Sequence, residues 1–282
     1  MLGVIGGTGF YGMEGVSALE PKRIETPFGE PSGPVMTGSI DGNPIAFIAR
    51  HGERHQFLPS EINYRANIWA LKAAGVREIV SISAVGSLSK EIAPSHLAIA
   101  SQYIDFTKGG RSASYFGSGL IAHISTAEPA CPGLAHALYK CCLEMKIPAH
   151  RDVTYACVEG PRLGTRAESF FLKNAGAHIV GMTNVPEAFL AREAQLCYCT
   201  LAVVTDYDCW LEDPQEHASV DRILALYREN LKRVQELIKS LVKKRFDASH
   251  CRCRSALDGA VMSDEDHLSE EQTQILSFLR SA

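Results

Sequence analysis

The chain has 282 residues, 46% hydrophobic and 21% charged, with a formal net charge of −4. This is enough apolar material for a large core in one or two domains, and the absence of a clustered Lys/Arg run excludes a nucleic-acid groove. No apolar run reaches membrane-spanning length and the first residues lack the charged start of a signal peptide, so a soluble, cytoplasmic protein with no membrane partner is expected.

In chain order, Leu2–Ile5 predicts a first strand, followed by Gly6-Gly7-Thr8-Gly9. Residues 20–44, rich in Gly, Pro and Ser, predict a hairpin region, and Ile45–Ala49 the next strand. A helix is predicted over Ser60–Ala74, where Ile62, Ala66, Trp69, Ala70 and Ala73 follow a 3.6-residue period and Gly75 stops it. Strands at Glu78–Ser83 and His96–Ser101 precede a surface loop over 107–120. A helix over Pro132–Lys146 carries Leu134, Leu138, Cys141 and Met145 on one face. Strands at Val153–Val158 and His178–Gly181 lead to a helix over Pro186–Gln195, with Pro186 at a tolerated first-turn position. After a strand at Tyr198–Val204, the longest helix runs from the N-cap Ser219 to about Lys244. Nearly continuous apolar strands alternating with helices predict an α/β fold, a single-domain twisted mixed sheet flanked by helices over residues 1–245. Residues 246–282 read as a C-terminal appendix, in which Ser269 and Gln272 form a capping-box pattern and Leu268, Ile275, Leu276 and Leu279 share one side of a short amphipathic helix.

Polar or glycine-rich clusters each follow a predicted strand: Gly6–Gly9, Arg50–His55, Ala84–Ser87, Glu159–Glu168, Met182–Glu187 and Thr205–Asp208. In open α/β sheets ligands bind beyond strand carboxyl ends, so these clusters are expected to meet. The glycine turn with Thr8 suits an anion, and Arg50 is a planar partner for phosphate oxygens, with pairing to a core carboxylate as its structural alternative. Gly7-Thr8-Gly9-Phe10-Tyr11-Gly12 also matches the dinucleotide fingerprint of an NAD-binding oxidoreductase, but no helical period follows it. His51 and His55 have the spacing of a zinc pair and lack a third ligand nearby. Asp206 and Asp208, two apart in an extended segment, are expected to share one side and accept from an exocyclic amine. Of the nine cysteines, Cys131, Cys141, Cys142, Cys157, Cys197 and Cys199 read as small buried hydrophobes. Cys251 and Cys253 read as reduced, partly exposed thiols, with metal binding beside His250 as a minor option; no metal is assigned.

Taken together, the strings VIGGTGF, TPFGEPS, ARHGERHQFLPSEINYRANIWALK, SAVGSL, AEPACP, EGPRLGTRAES, GMTNVPEAFLAREA and TDYDCW resemble the trimeric purine nucleoside phosphorylase superfamily, and within it the 5′-methylthioadenosine phosphorylase family. The resemblance implies a phosphorylase/hydrolase-like fold and a pentosyltransferase that takes phosphate as co-substrate and needs no cofactor. It implies that Thr8, Arg50, His51, Ser83, Ala84 (through its backbone) and Thr183 hold phosphate, and that Met182 lies along the ribose. Asp206, the catalytic residue, and Asp208 would read adenine beside Leu163 and Gly164, and His123 of a neighbouring subunit would close the methylthio end in a homotrimer or a hexamer built from two trimers. Relatives taking 6-oxopurines carry Glu at the position of Gly164 and Asn at that of Asp206; a 6-amino group is a donor and wants carboxylates, so adenine is favoured. Many relatives have Phe where Leu163 stands and Ser or Thr where Gly164 stands. Cys251-Arg252-Cys253 is similar to a Cys-x-Cys of some archaeal members, where those cysteines pair.

Overall fold

The computed structural model describes residues 1–213, 217, 219–244, 246–248 and 251–281. Its strands are β1 (Leu2–Gly6), β2 (Val16–Lys22), β3 (Val35–Ile40), β4 (Asn43–Ala49), β5 (Glu78–Ser87), β6 (Leu97–Phe106), β7 (Ala149–Val158), β8 (Ile179–Gly181) and β9 (Cys197–Asp206). Each predicted strand is present, and the hairpin region resolves into β2, β3 and the start of β4. The β3–β4 turn is Asp41-Gly42, both at positive φ (49° and 76°), the backbone that a two-residue hairpin matched to strand twist demands. Pro21 sits in β2, the edge strand, where a missing N–H donor is harmless.

The mixed sheet runs β2-β3-β4-β1-β5-β8-β7-β6-β9, and β9 pairs back onto β5. The sheet therefore curls, and β5, β8, β7, β6 and β9 close on themselves. The closed part is filled by Val85, Ala98, Ala100, Val153, Tyr155, Ile179, Ala202 and Val204. β1, β4, β5 and β9 run one way, while β6, β7 and β8 run the other.

The helices are α1 (Tyr64–Ala73), α2 (Pro132–Glu144), α3 (Arg166–Asn174), α4 (Asn184–Glu193), α5 (Val220–Lys244) and α6 (Glu270–Arg280). Residues of α2 and α5 cover one face of the sheet, and those of α1, α4 and α6 the other. α1 begins later than predicted because the Asn63 side chain caps it at the Ala66 N–H. α3 is absent from the sequence reading although Thr165 and Glu168 spell its capping box. α6 carries the expected box of Ser269 and Gln272 and buries Ile275, Leu276 and Leu279. No helix among the described residues is long and apolar enough to cross a membrane.

Candidate active site

The site grows from an interruption along one edge of β5. β1 pairs in parallel with Glu78–Ser81, and β8 pairs antiparallel with Gly86 and Ser87. β9 occupies the opposite edge of β5 along its length. The carboxyl ends of β1 and β8 therefore point at each other across Ile82–Val85, and both deliver loops to that gap. The clusters after β7 and β8 thus arrive from the direction opposite to those after β1, β4 and β9, as a mixed sheet allows. Ala84–Ser87 also lie within β5 rather than after it.

Arg50 fills the floor of the gap. Its amide donates to the Gly6 carbonyl at 2.9 Å, and the residue is 2% exposed. Nε donates to Glu187 Oε2 (2.7 Å), Nη2 to Glu187 Oε1 (3.0 Å) and Ser81 Oγ (2.5 Å), and Nη1 to the Ile82 carbonyl (3.0 Å). Of the guanidinium's N–H groups, one on Nη1 is left for a further acceptor. Burial alone would lower the Arg50 pKa, but the charge and hydrogen bonds of Glu187 hold it raised. Glu187 Oε1 also accepts from Ser81 Oγ and from the Tyr198 hydroxyl (2.8 Å), so both oxygens of this buried carboxylate are hydrogen-bonded. Glu187 and Ser81 escaped the sequence reading; a Glu one turn into a helix that follows a strand-end cluster was the available signal.

His51 is half-buried, its Nδ1 2.8 Å from the Phe57 carbonyl, and its ring stacks on His55 at 4.5 Å. Burial, with a smaller push from the Arg50 charge, depresses its pKa to about 4. Since a carbonyl only accepts, neutral His51 carries its proton on Nδ1 and presents Nε2 as an acceptor. Ser83 is buried and donates to Asn184 Oδ1 at 3.1 Å; Ala84 is the next residue on β5. Thr183 stands before α4 without capping it, 6% exposed, and Val185 is extended (φ −118°, ψ 127°), so the continuous helix starts at Pro186 as predicted. The Thr8 backbone lies in a single 3-10 turn; its side chain lies outside the described residues. No α-helix opens after that turn, so the dinucleotide fingerprint lacks the element it requires.

Arg111, in the supposed surface loop, is buried instead. It donates to the carbonyls of Met182 (2.7 Å), Val185 (2.7 Å) and Glu159 (2.9 Å), tying the exits of β7 and β8 together. Met182 packs against Gly160.

The acids lie farther along β5. Gly86 pairs with Asp206 and lies three residue steps along the strand from Ser83, about 10 Å at ~3.3 Å per residue. A β-carbon at Gly86 would come within 3.1 Å of Asp206 Oδ1 and of the Asp208 side chain. Asp206 accepts from Thr205 Oγ1 and from the Asp208 amide, each at 2.7 Å. Burial pushes its pKa up to about 6 against those donors, with the Asp208 charge adding to the rise. The Asp208 carboxyl is also raised, mainly by burial, and accepts from Ser169 of α3. The two acids meet through a turn rather than an extended segment, because Asp208 is left-handed (φ 53°). Gly164 lies against Asp208, its carbonyl 3.5 Å from Cys209 Sγ, and Leu163 is half-buried beside it. His123 is exposed, with its amide on the Ala260 carbonyl at 2.9 Å.

A family model described as the phosphorylase superfamily matches residues 1–243. The S-methyl-5′-thioadenosine phosphorylase of Geobacter sulfurreducens is 43% identical over 279 residues, 99% of this chain and 97% of that one. The enzyme of the same name from Thermococcus kodakarensis is 46% identical over 259 residues, 91% of this chain and 97% of that one. A crystal structure of a methylthioadenosine phosphorylase from an antarctic soil metagenomic library superposes with a TM-score of 0.93 at 41% identity, covering 99% of this chain and 98% of that one. The Schistosoma mansoni methylthioadenosine phosphorylase in complex with adenine gives 0.86 at 32% identity, covering 93% and 98%.

Proposed function

The chain belongs to the phosphorylase superfamily, and we propose that it splits 5′-methylthioadenosine with inorganic phosphate, giving adenine and 5-methylthioribose 1-phosphate. The observation that carries this reading is the spacing along β5: a gap lined by anion-type donors at one end and two buried acids about 10 Å away, the span of a nucleoside seated between them.

Phosphate sits in the gap on the Gly6–Gly7 turn, Thr8, the remaining Arg50 Nη1 proton, Ser83, the Ala84 backbone and Thr183. His51 Nε2, an acceptor, takes a phosphate hydroxyl. Because Glu187 offsets the charge of Arg50, oriented dipoles rather than a free cation balance most of the phosphate charge. Cleavage develops positive charge on the sugar, and phosphate held beneath it stabilises that charge before bonding to the anomeric carbon. Asp206, with a raised pKa, donates a proton or a strong hydrogen bond to the five-membered ring of the departing adenine; Asp208 accepts from the 6-amino group. Leu163 and Gly164 border the base, and Met182 lies along the ribose. His123 of the partner subunit closes an apolar subsite for the methylthio group in a homotrimer, with association of two trimers into a hexamer as the higher assembly.

Specificity constants for 5′-methylthioadenosine, adenosine, methylthioinosine and inosine, with phosphate varied, test the reading. Phosphate-dependent turnover with methylthioadenosine far ahead of the 6-oxo nucleosides is expected. Equal cleavage in phosphate-free buffer would make the protein a hydrolase.

A further inference from the structure

Cys131 caps the N-terminus of α2, Cys197 opens β9, and Cys251 and Cys253 lie in the tail, at a single 3-10 turn over Arg252–Ser255. The fold draws these distant positions together: the four sulfurs all lie within 4.8 Å of one another. We propose that Cys131, Cys197, Cys251 and Cys253 form a tetrathiolate site for one zinc ion, which fastens the C-terminal tail to the domain.

The geometry fits the ion. A zinc–sulfur bond of about 2.3 Å places the corners of a tetrahedron about 3.8 Å apart. Cys131 Sγ and Cys251 Sγ are 3.5 Å apart, and all nine cysteines are free thiols. Three of the four ligands are buried and Cys251 is half-buried, which gives a closed structural site. The Cys-x-Cys spacing is one residue tighter than the usual pairs, and Cys131 and Cys197 supply the other two corners from rigid elements. An all-sulfur set selects a soft or borderline ion over magnesium or calcium.

The surroundings fit a negative centre. Zinc with four thiolates carries a net charge of about −2. Arg192 Nη1 donates to Cys253 Sγ at 3.0 Å, and the Leu134 amide at the start of α2 donates to Cys131 Sγ at 3.5 Å. Arg192 Nε and Arg254 Nε are buried without a hydrogen-bond partner among the described residues, and Arg254 is only 3.6 Å from the single carboxylate of Glu78. The Arg192 guanidinium, half-buried and donating to Cys253 Sγ, is matched by a tetrathiolate better than by four neutral thiols. On binding, each thiol gives its proton to solvent, four per zinc.

The ion would sit at the root of the tail. Beyond it Leu257 donates to Gln195 Oε1 (3.2 Å), Lys72 Nζ to the carbonyls of Leu279 (2.8 Å) and Ser281 (2.9 Å), and Phe278 stacks on Trp69. The sequence expectation of partly exposed thiols is thus corrected at Cys253, which is 2% exposed. His250 lies outside the described residues.

The test is metal analysis of the full-length protein purified under reducing conditions. One zinc per chain is expected, and reconstitution of the metal-free protein with cobalt should give the thiolate charge-transfer and visible bands of a tetrahedral sulfur site. Cys251→Ser, the most accessible ligand, should weaken zinc binding beyond the ~10- to 100-fold cost of losing an outer-shell partner, while Cys142→Ser should bind normally. Failure of the reduced wild-type protein to retain zinc or take up Zn²⁺ or Co²⁺ at micromolar concentration would overturn the proposal. So would full stoichiometry in both Cys251→Ser and Cys253→Ser, iron in place of zinc, or the four sulfurs recovered as two disulfides.

Discussion

At Asp206 burial outweighs two good hydrogen bonds, and the carboxyl ionises near pH 6 instead of its ordinary 3.8. The native form thus holds a proton that the unfolded chain gives up earlier. The associated stability is fully present below about pH 4 and is lost as pH rises through 6, a difference of about 2–3 kcal/mol at roughly 1.4 kcal/mol per pKa unit. Asp206→Asn is therefore expected to become more stable relative to wild type between pH 4 and 6, with the gain constant above that, as thermal melts across pH would show. The same substitution should slow methylthioadenosine phosphorolysis on the order of 100-fold and shift preference toward 6-oxopurines. It should also erase the alkaline limb of kcat/KM that begins near pH 6, whereas the titration of phosphate itself would persist in both proteins. A wild-type-like pH profile in the variant would remove Asp206 from the acid role.

Arg50 poses the opposite case, a buried cation whose partner is already present. Arg50→Ala removes the counter-charge of the buried Glu187 and leaves it only the Ser81 and Tyr198 hydroxyls, which costs about 3–5 kcal/mol of stability. If Arg50 also holds phosphate, KM for phosphate rises while KM for the nucleoside changes little. Arg50→Lys, which retains the charge but loses the fork, separates the roles: a rise in phosphate KM with a smaller loss of stability supports the binding role. Loss of stability with an unaltered phosphate KM in both variants would make Arg50 purely structural.

At the scale of elements, α3 is the support for the acid pair. Its capping box fixes where the helix starts, and Ser169 on its inner face holds Asp208. Thr165→Ala should cost about 1 kcal/mol and raise KM for the nucleoside more than for phosphate, measured by urea denaturation and by steady-state kinetics. Equal effects on both KM values would show that α3 does not act through Asp208. β5 plays the complementary part, since a single strand carries Ser83 and Ala84 at one end of the site and Gly86 against the acids at the other.

For the molecule as a whole, the tail and the assembly matter most. α6 lies on α1, with Phe278 and Trp69 stacked at 3.8 Å, so Phe278→Ala is expected to lower stability by about 1–3 kcal/mol without altering adenine selectivity. In the proposed homotrimer, light scattering should give three times the 30.7 kDa chain mass, and His123→Ala should raise KM for methylthioadenosine but not for phosphate. A monomer with full activity would assign the methylthio subsite to a single chain.

Much of this was legible in the amino-acid order because it depends on local rules. Continuous apolar runs marked the strands of a sheet covered on both faces, the 3.6-residue period marked α1 and α2, and Ser269 with Gln272 announced α6. Tertiary structure alone decided the rest, because it depends on which distant residues become neighbours. No local pattern reveals that β8 runs against β5 and faces the end of β1, which is what opens the gap. Glu187 becomes the partner of Arg50, and Arg111 leaves an apparent surface loop for the interior, only once strands far apart in sequence are paired. Cys131 and Cys197 obeyed the rule for small buried hydrophobes one at a time; closure of the sheet and docking of the tail set them beside Cys251 and Cys253, and chemistry between groups exists only when the chain has placed them within reach.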